Sequence, residues 1–129
     1  MVISHRPEFA DAVRSFHKRQ TIRLWKKKIK PGDMLQHWVN LRTGKGEMLL
    51  ECPCTEVVHL QIGMKRKPNQ AWSKGKAIVL IEGVPATPEE RVSLALGDGY
   101  SGTNEMINYF RSFYNRIPRK LMEVTLIKW

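Results

Sequence analysis

The run Met48-Leu49-Leu50-Glu51-Cys52-Pro53-Cys54-Thr55-Glu56-Val57-Val58-His59-Leu60-Gln61-Ile62 decides the fold class. It is rich in Leu, Val and Thr, residues that fit a pleated, half-buried surface. Pro53 has no N–H to give to a ladder, so within a strand it marks a bulge, a bend or an edge. An extended segment of this kind needs partners, and the chain offers them on both sides. After the Pro31-Gly32 turn, Met34, Leu35, His37, Trp38 and Val39 suit a strand, and residues 21–25 alternate loosely as a shorter one. Downstream, Ile78, Val79, Leu80 and Ile81 read as a buried strand over residues 77–82, and residues 122–129 alternate well enough to close a sheet. Between them, Arg42-Thr43-Gly44-Lys45-Gly46 is a loop, and residues 65–76 form a basic loop holding Trp72.

Three segments read as helices. Residues 7–17 begin with Pro7, suited to a first turn, and place Phe9, Ala12, Val13 and Phe16 at i, i+3, i+4 and i+7. Thr87-Pro88-Glu89-Glu90 is the strongest local signal: a threonine cap, proline at the first helical position and a glutamate that completes a capping box. That helix runs to about Leu96, where Gly97 and Gly99 stop it. A third begins near Thr103 and ends before Pro118, with Met106, Phe110, Phe113 and Ile117 as its apolar face and Ile107, Tyr109 and Tyr114 widening it. The order is helix, several strands, two helices, one strand. It predicts a single α+β domain over residues 1–129, built on a small curved sheet or barrel. There is no internal repeat, low-complexity tract or linker that would mark a second domain.

A chain of 129 residues is long enough for one hydrophobic core without disulfide or metal support. No window reaches the roughly 18 consecutive apolar residues of a membrane span, and Met1-Val2-Ile3-Ser4-His5-Arg6-Pro7 carries no long apolar h-region. A soluble, cytoplasmic protein with no membrane partner is expected. Cys52 and Cys54, at i and i+2, rarely meet disulfide geometry and read as reduced, partly buried thiols. With His59 they make three possible metal ligands, but no fourth stands at a standard spacing, so neither metal nor other cofactor is expected.

The net charge of +10 argues about partners rather than fold. No acid lies between Asp11 and Asp33, an interval that holds Arg14, Lys18, Arg19, Arg23, Lys26, Lys27, Lys28 and Lys30. A second acid-free interval, between Glu56 and Glu82, holds Lys65, Arg66, Lys67, Lys74 and Lys76. Two basic segments sharing one face suit a polyanion such as RNA. Within the first, Lys18 sits among Arg14, Arg19 and Arg23, whose charges disfavour its ammonium form. A lysine tuned downward can act as a general base, and Thr21 supplies a hydroxyl for it to activate. Lysine and threonine are common, so on these residues alone a surface lysine beside a strand threonine is the better explanation.

The combination is more specific. Lys18-x-x-Thr21-Ile22-Arg23, then Lys30-Pro31-Gly32-Asp33, an Arg42-Thr43 loop and a late Asp98-Gly99-Tyr100 resemble the ASCH domain family, relatives of the PUA RNA-binding fold. The resemblance covers nearly the whole chain. It implies a small PUA-like β-barrel of about five to six mainly antiparallel strands flanked by three helices, with a basic cleft that binds RNA or a modified nucleoside. One branch of the family removes the acetyl group of N4-acetylcytidine, and another has been assigned ribonuclease activity. Carried over by motif position, the catalytic lysine, threonine and acid fall on Lys18, Thr21 and Asp98, the last where the amidohydrolase branch has glutamate. Arg23, Trp25, Lys26, Arg42 and Tyr100 are the expected substrate-binding residues, with Tyr100, Trp25 or Trp38 placed to stack on a base. The chain departs from the pattern at Phe16-His17, where the family has a small glycine turn, so the first helix is expected to approach the motif and narrow the cleft.

Two functions follow. An RNA-binding module without chemistry predicts affinity that falls steeply with salt and is indifferent to Thr21. A hydrolase predicts turnover that fails without Thr21 or Lys18. A third, an adaptor for a protein partner, has only family breadth behind it.

Overall fold

The computed structural model describes residues 1–24, 28–65, 69, 76–113 and 121–129. Among the described residues, eight strands fall into two sheets. The first is β1 (Val2–His5), β3 (Met34–Val39) and β4 (Glu47–Pro53), in the order β1-β3-β4, with β1 parallel to β3 and β4 antiparallel to it. The second has the order β2-β8-β5-β6-β7, where β2 is Gln20–Arg23, β5 Glu56–Lys65, β6 Lys76–Ile81, β7 Val84–Pro85 and β8 Met122–Lys128, and every pairing is antiparallel. Three short helices accompany them: α1 (Ala10–Arg14), α2 (Pro88–Gly97) and α3 (Thr103–Phe113).

The PUA-like barrel of five to six strands is therefore corrected. Among the described residues the strands form two sheets and no closed barrel. The run around Pro53 shows why. It is two strands, not one: β4 ends at Pro53, which cannot extend a ladder, and the chain crosses from one sheet to the other through Cys54 and Thr55. Cys54 N–H donates to the Asp33 carbonyl in the first sheet's approach, and Thr55 N–H donates to the Lys128 carbonyl in the second. β5 then pairs with β6 and β8, so no ladder joins it to β4.

β8 ties the two halves together. Met122, Val124 and Leu126 point to one side, into a core with Leu60, Ile62, Leu94, Met106 and Phe110. Ile127 faces the other way, as strand alternation requires, and with Trp129 joins a second core of Ile3, Val13, Leu35 and Cys54. One end of β8 is thus covered on both faces.

α2 begins as its sequence dictates. The Thr87 hydroxyl accepts from Glu90 N–H, and the Glu90 carboxylate accepts from Thr87 N–H. The first helix is much shorter than its periodicity suggests: a 3₁₀ turn at Pro7–Phe9 followed by the five residues of α1. It stops because Phe16 takes a left-handed backbone (φ 61°), the region where glycine is favoured. No residue of this chain's first turn caps that helix with its side chain either.

Among the described residues, no helix is long and apolar enough to cross a membrane.

Candidate functional site

Lys18 lies four residues beyond α1 and leads directly into β2. Its side chain turns inward rather than to solvent and is only 7% exposed. From there Nζ reaches three acceptors: the Gln20 carbonyl at 2.8 Å, the Asp98 carbonyl at 3.3 Å and Asp98 Oδ1 at 3.2 Å. It also lies 5.1 Å above the Phe9 ring. Asp98, 80 residues away in sequence, sits at the C-terminal end of α2 and is equally buried, with a side chain 6% exposed. Its Oδ1 also accepts the backbone N–H of Ile22 in β2.

Two glycines bring the end of α2 this close. A Cβ on Gly97 would stand 2.7 Å from the Gln20 amide carbon. Gly99 has φ +93°, and a Cβ there would meet Phe9 ring carbons at 2.7 and 2.8 Å. A methyl at either position would force the Gln20 side chain or the Phe9 ring to shift.

Burial pushes Lys18 below the ordinary lysine value and Asp98 above the ordinary carboxylate value. Their mutual attraction opposes both shifts, and the Arg23 charge adds to the fall of Lys18. The three acceptors around Nζ match the three N–H donors of an ammonium, so the resting pair is ionic, while burial disfavours both charges.

Thr21 is on β2 and buried. Its hydroxyl oxygen accepts from Arg23 Nε at 3.1 Å, and Arg23 in turn donates through Nη2 to the Ser4 carbonyl. Lys18, Thr21, Arg23 and Asp98 all line one cavity of about 190 Å³. That is smaller than the roughly 300–1,000 Å³ of a drug-sized site and suits a group the size of a single base. Thr21 and Lys18 share the cavity without a hydrogen bond to each other.

Tyr100 completes the Asp98-Gly99-Tyr100 element. It lines the cavity with its ring against Tyr109 and Phe110 (centroids 5.6 and 6.4 Å), and burial raises its hydroxyl above the ordinary tyrosine value. Arg42 is elsewhere: it is exposed in the β3–β4 connection and does not line the cavity. Trp25 and Lys26 lie outside the described residues. Trp38, on β3, is half-buried and donates from Nε1 to Gln36 Oε1, away from the cavity.

The sequence left several wall residues unassigned. Arg6 stands over both Phe9 and Tyr109 (5.3 and 4.9 Å to the centroids). His5 comes from β1, a strand of four residues whose only signal is the inward alternation of Ile3 and His5. Among the described residues, no group of three or more His, Cys, Asp and Glu side chains is placed to hold a metal.

No protein family, curated protein or solved structure matches this chain. The ASCH resemblance accordingly rests on the motif residues themselves.

Proposed function

We propose that this is an RNA-associated, ASCH-type protein that takes a modified nucleoside into this cavity and hydrolyses an acyl group from it. One observation carries the reading: a lysine–aspartate pair, drawn from distant parts of the chain, is buried in the wall of a small cavity beside a threonine. Buried, mutually perturbed titratable pairs in a cavity are a mark of functional sites. A buried ion pair is in addition a poor way to gain stability, because desolvation offsets its attraction.

The chemistry follows from that pair. Passage of the shared proton from Nζ to the Asp98 carboxylate frees a lone pair on Lys18, which takes the proton of Thr21. The Thr21 oxygen forms a bond to the acyl carbon as the carbonyl π pair moves onto the acyl oxygen, and Arg23, which lines the cavity, steadies that oxyanion. The oxyanion collapses back to a carbonyl, the carbon–nitrogen bond breaks, and the proton held by Asp98 passes to the leaving amine. The Lys18–Asp98 transfer then repeats: Lys18 takes a proton from water, whose oxygen bonds to the ester carbon, the bond to the Thr21 oxygen breaks, and Asp98 returns its proton to Thr21 as the acid is released. With N4-acetylcytidine the products are acetate and cytidine.

A second reading, RNA binding without chemistry, has its own support. Nζ of Lys18 is saturated by acceptors in the resting arrangement and does not touch Thr21. The chain also carries a net charge of +10. Chromatography of N4-acetylcytidine incubated with the purified protein separates the two. Cytidine is expected; its absence together with salt-sensitive RNA affinity would leave the binding module.

A further inference from the structure

A buried polar chain leads away from the cavity and takes no part in the steps above. His5 lines the cavity, and its Nε2 lies 2.9 Å from Nδ1 of His37 on β3. Nε2 of His37 lies 3.7 Å from Sγ of Cys52 on β4. The imidazoles are stacked with centroids 5.2 Å apart, and the Trp129 ring packs on both, at 5.6 and 4.2 Å. His37 is fully buried and His5 almost so.

These contacts restrict the protons. Each neutral imidazole carries one N–H. In one arrangement His5 Nε2–H donates to His37 Nδ1, and His37 Nε2–H donates to Cys52 Sγ. In the other, the thiol donates to His37 Nε2, and His37 Nδ1–H donates to His5 Nε2. The first leaves Nδ1 of His5 as a lone pair; the second leaves it as an N–H. Two facts favour the first. A thiol is a weak donor compared with an imidazole N–H. And Lys18 and Arg23, cations that line the same cavity and act on His5, attract a lone pair and repel an N–H.

We infer that His5 determines ligand specificity: its Nδ1 accepts a hydrogen bond from an N–H or O–H of the bound nucleoside, and His37 and Cys52 are positioning residues that fix this tautomer. The proposal deepens the nucleoside reading above and rests on it. It narrows the ligand to one that offers a donor to the cavity, as the exocyclic N–H of cytosine or of its secondary N4-amide does. The facing groups also keep His5 neutral: burial first, then His37, Arg23 and Lys18, hold its pKa down at about 3. Nδ1 therefore remains an acceptor throughout the physiological range.

The test uses cytidine, which is not consumed, so it is independent of turnover. Imidazole ¹⁵N spectra of the free protein should show His5 protonated at Nε2 and bare at Nδ1 from pH 8 to pH 6. Saturation with cytidine should shift the Nδ1 resonance. His5→Phe should weaken cytidine about tenfold, the span of one neutral hydrogen bond. His5→Asn, whose Oδ1 can stand near the place of Nδ1, should restore most of it. An Nδ1–H tautomer, an averaged one, an Nδ1 resonance that cytidine does not move, or equal cytidine affinity in His5→Phe would each overturn the proposal. Loss of deacetylation with these results intact would instead refute the hydrolase reading alone.

Discussion

Acidification below pH 6.5 should destabilise this protein through its buried histidines. His5 and His37 are held neutral in the fold, with pKa values of about 3 and about 4, chiefly by burial and then by the cations Arg23 and Lys18. In the unfolded chain both return to about 6.5. A depressed folded-state pKa means that the unfolded state binds more protons as pH falls. The stabilisation is complete above pH 6.5 and is lost as pH drops towards the folded values. Each histidine contributes up to about 1.4 kcal/mol per pH unit in that window, so the pair loses about 3 kcal/mol between pH 6.5 and 5. Against a typical total of about 5–15 kcal/mol this is a large share. Asp98, pushed up by burial, works in the opposite direction, so the comparison needs a variant that keeps it. Urea unfolding at pH 7.5, 6 and 5 should show the midpoint falling steeply in the wild type and much less in a His5→Gln, His37→Gln double variant. Wild-type stability that is level between pH 7 and 5, or an equal slope in the double variant, would refute the reasoning.

Three further perturbations probe the scaffold. Lys18→Met should cost about 3 kcal/mol by leaving Asp98 charged and buried; added to Asp98→Asn it should cost less than the sum, and additive unfolding energies would contradict a direct pair. Gly99→Ala should cost about 2–3 kcal/mol, because φ +93° is strained for alanine and its methyl meets the Phe9 ring; thermal unfolding unchanged from wild type would count against that packing. Phe16→Gly should stabilise by about 0.5–1 kcal/mol, since it relieves a left-handed φ at an exposed side chain and gives up its packing, the contact with Arg19 included; a lower melting temperature would show that this packing matters more than the strain.

Much of the architecture was legible because local signals agreed with the fold. The Thr87 capping box, the α3 residues Met106, Ile107 and Phe110 and the strands around Val79 and Val124 all appear where periodicity and capping place them. What was hidden is tertiary. β1 is four residues long, too short for a periodic signal, and is held by a parallel pairing with β3 that no local pattern announces. Pro53 was readable as an interruption but not as a crossing between sheets, since that depends on which ladder each half joins. The first helix looked longer because its apolar spacing continues to Phe16, yet backbone geometry at that residue ends it. In the site, Lys18, Thr21 and Asp98 were marked by motif, and their shared cavity follows from the Gly97 and Gly99 contacts. His5, Arg6 and Phe9 escaped notice because they bear on the site only through the fold. Arg42, implied by the motif resemblance, lies on an exposed turn.

The most direct test of the central claim is the rate of cytidine release from saturating N4-acetylcytidine by the wild type and by Thr21→Ala under identical conditions. Turnover by the wild type, reduced at least a hundredfold in a Thr21→Ala protein of unchanged circular dichroism, is the predicted result, in line with the loss of a positioned nucleophile. Equal rates in the two proteins, or no cytidine from the wild type, would contradict it.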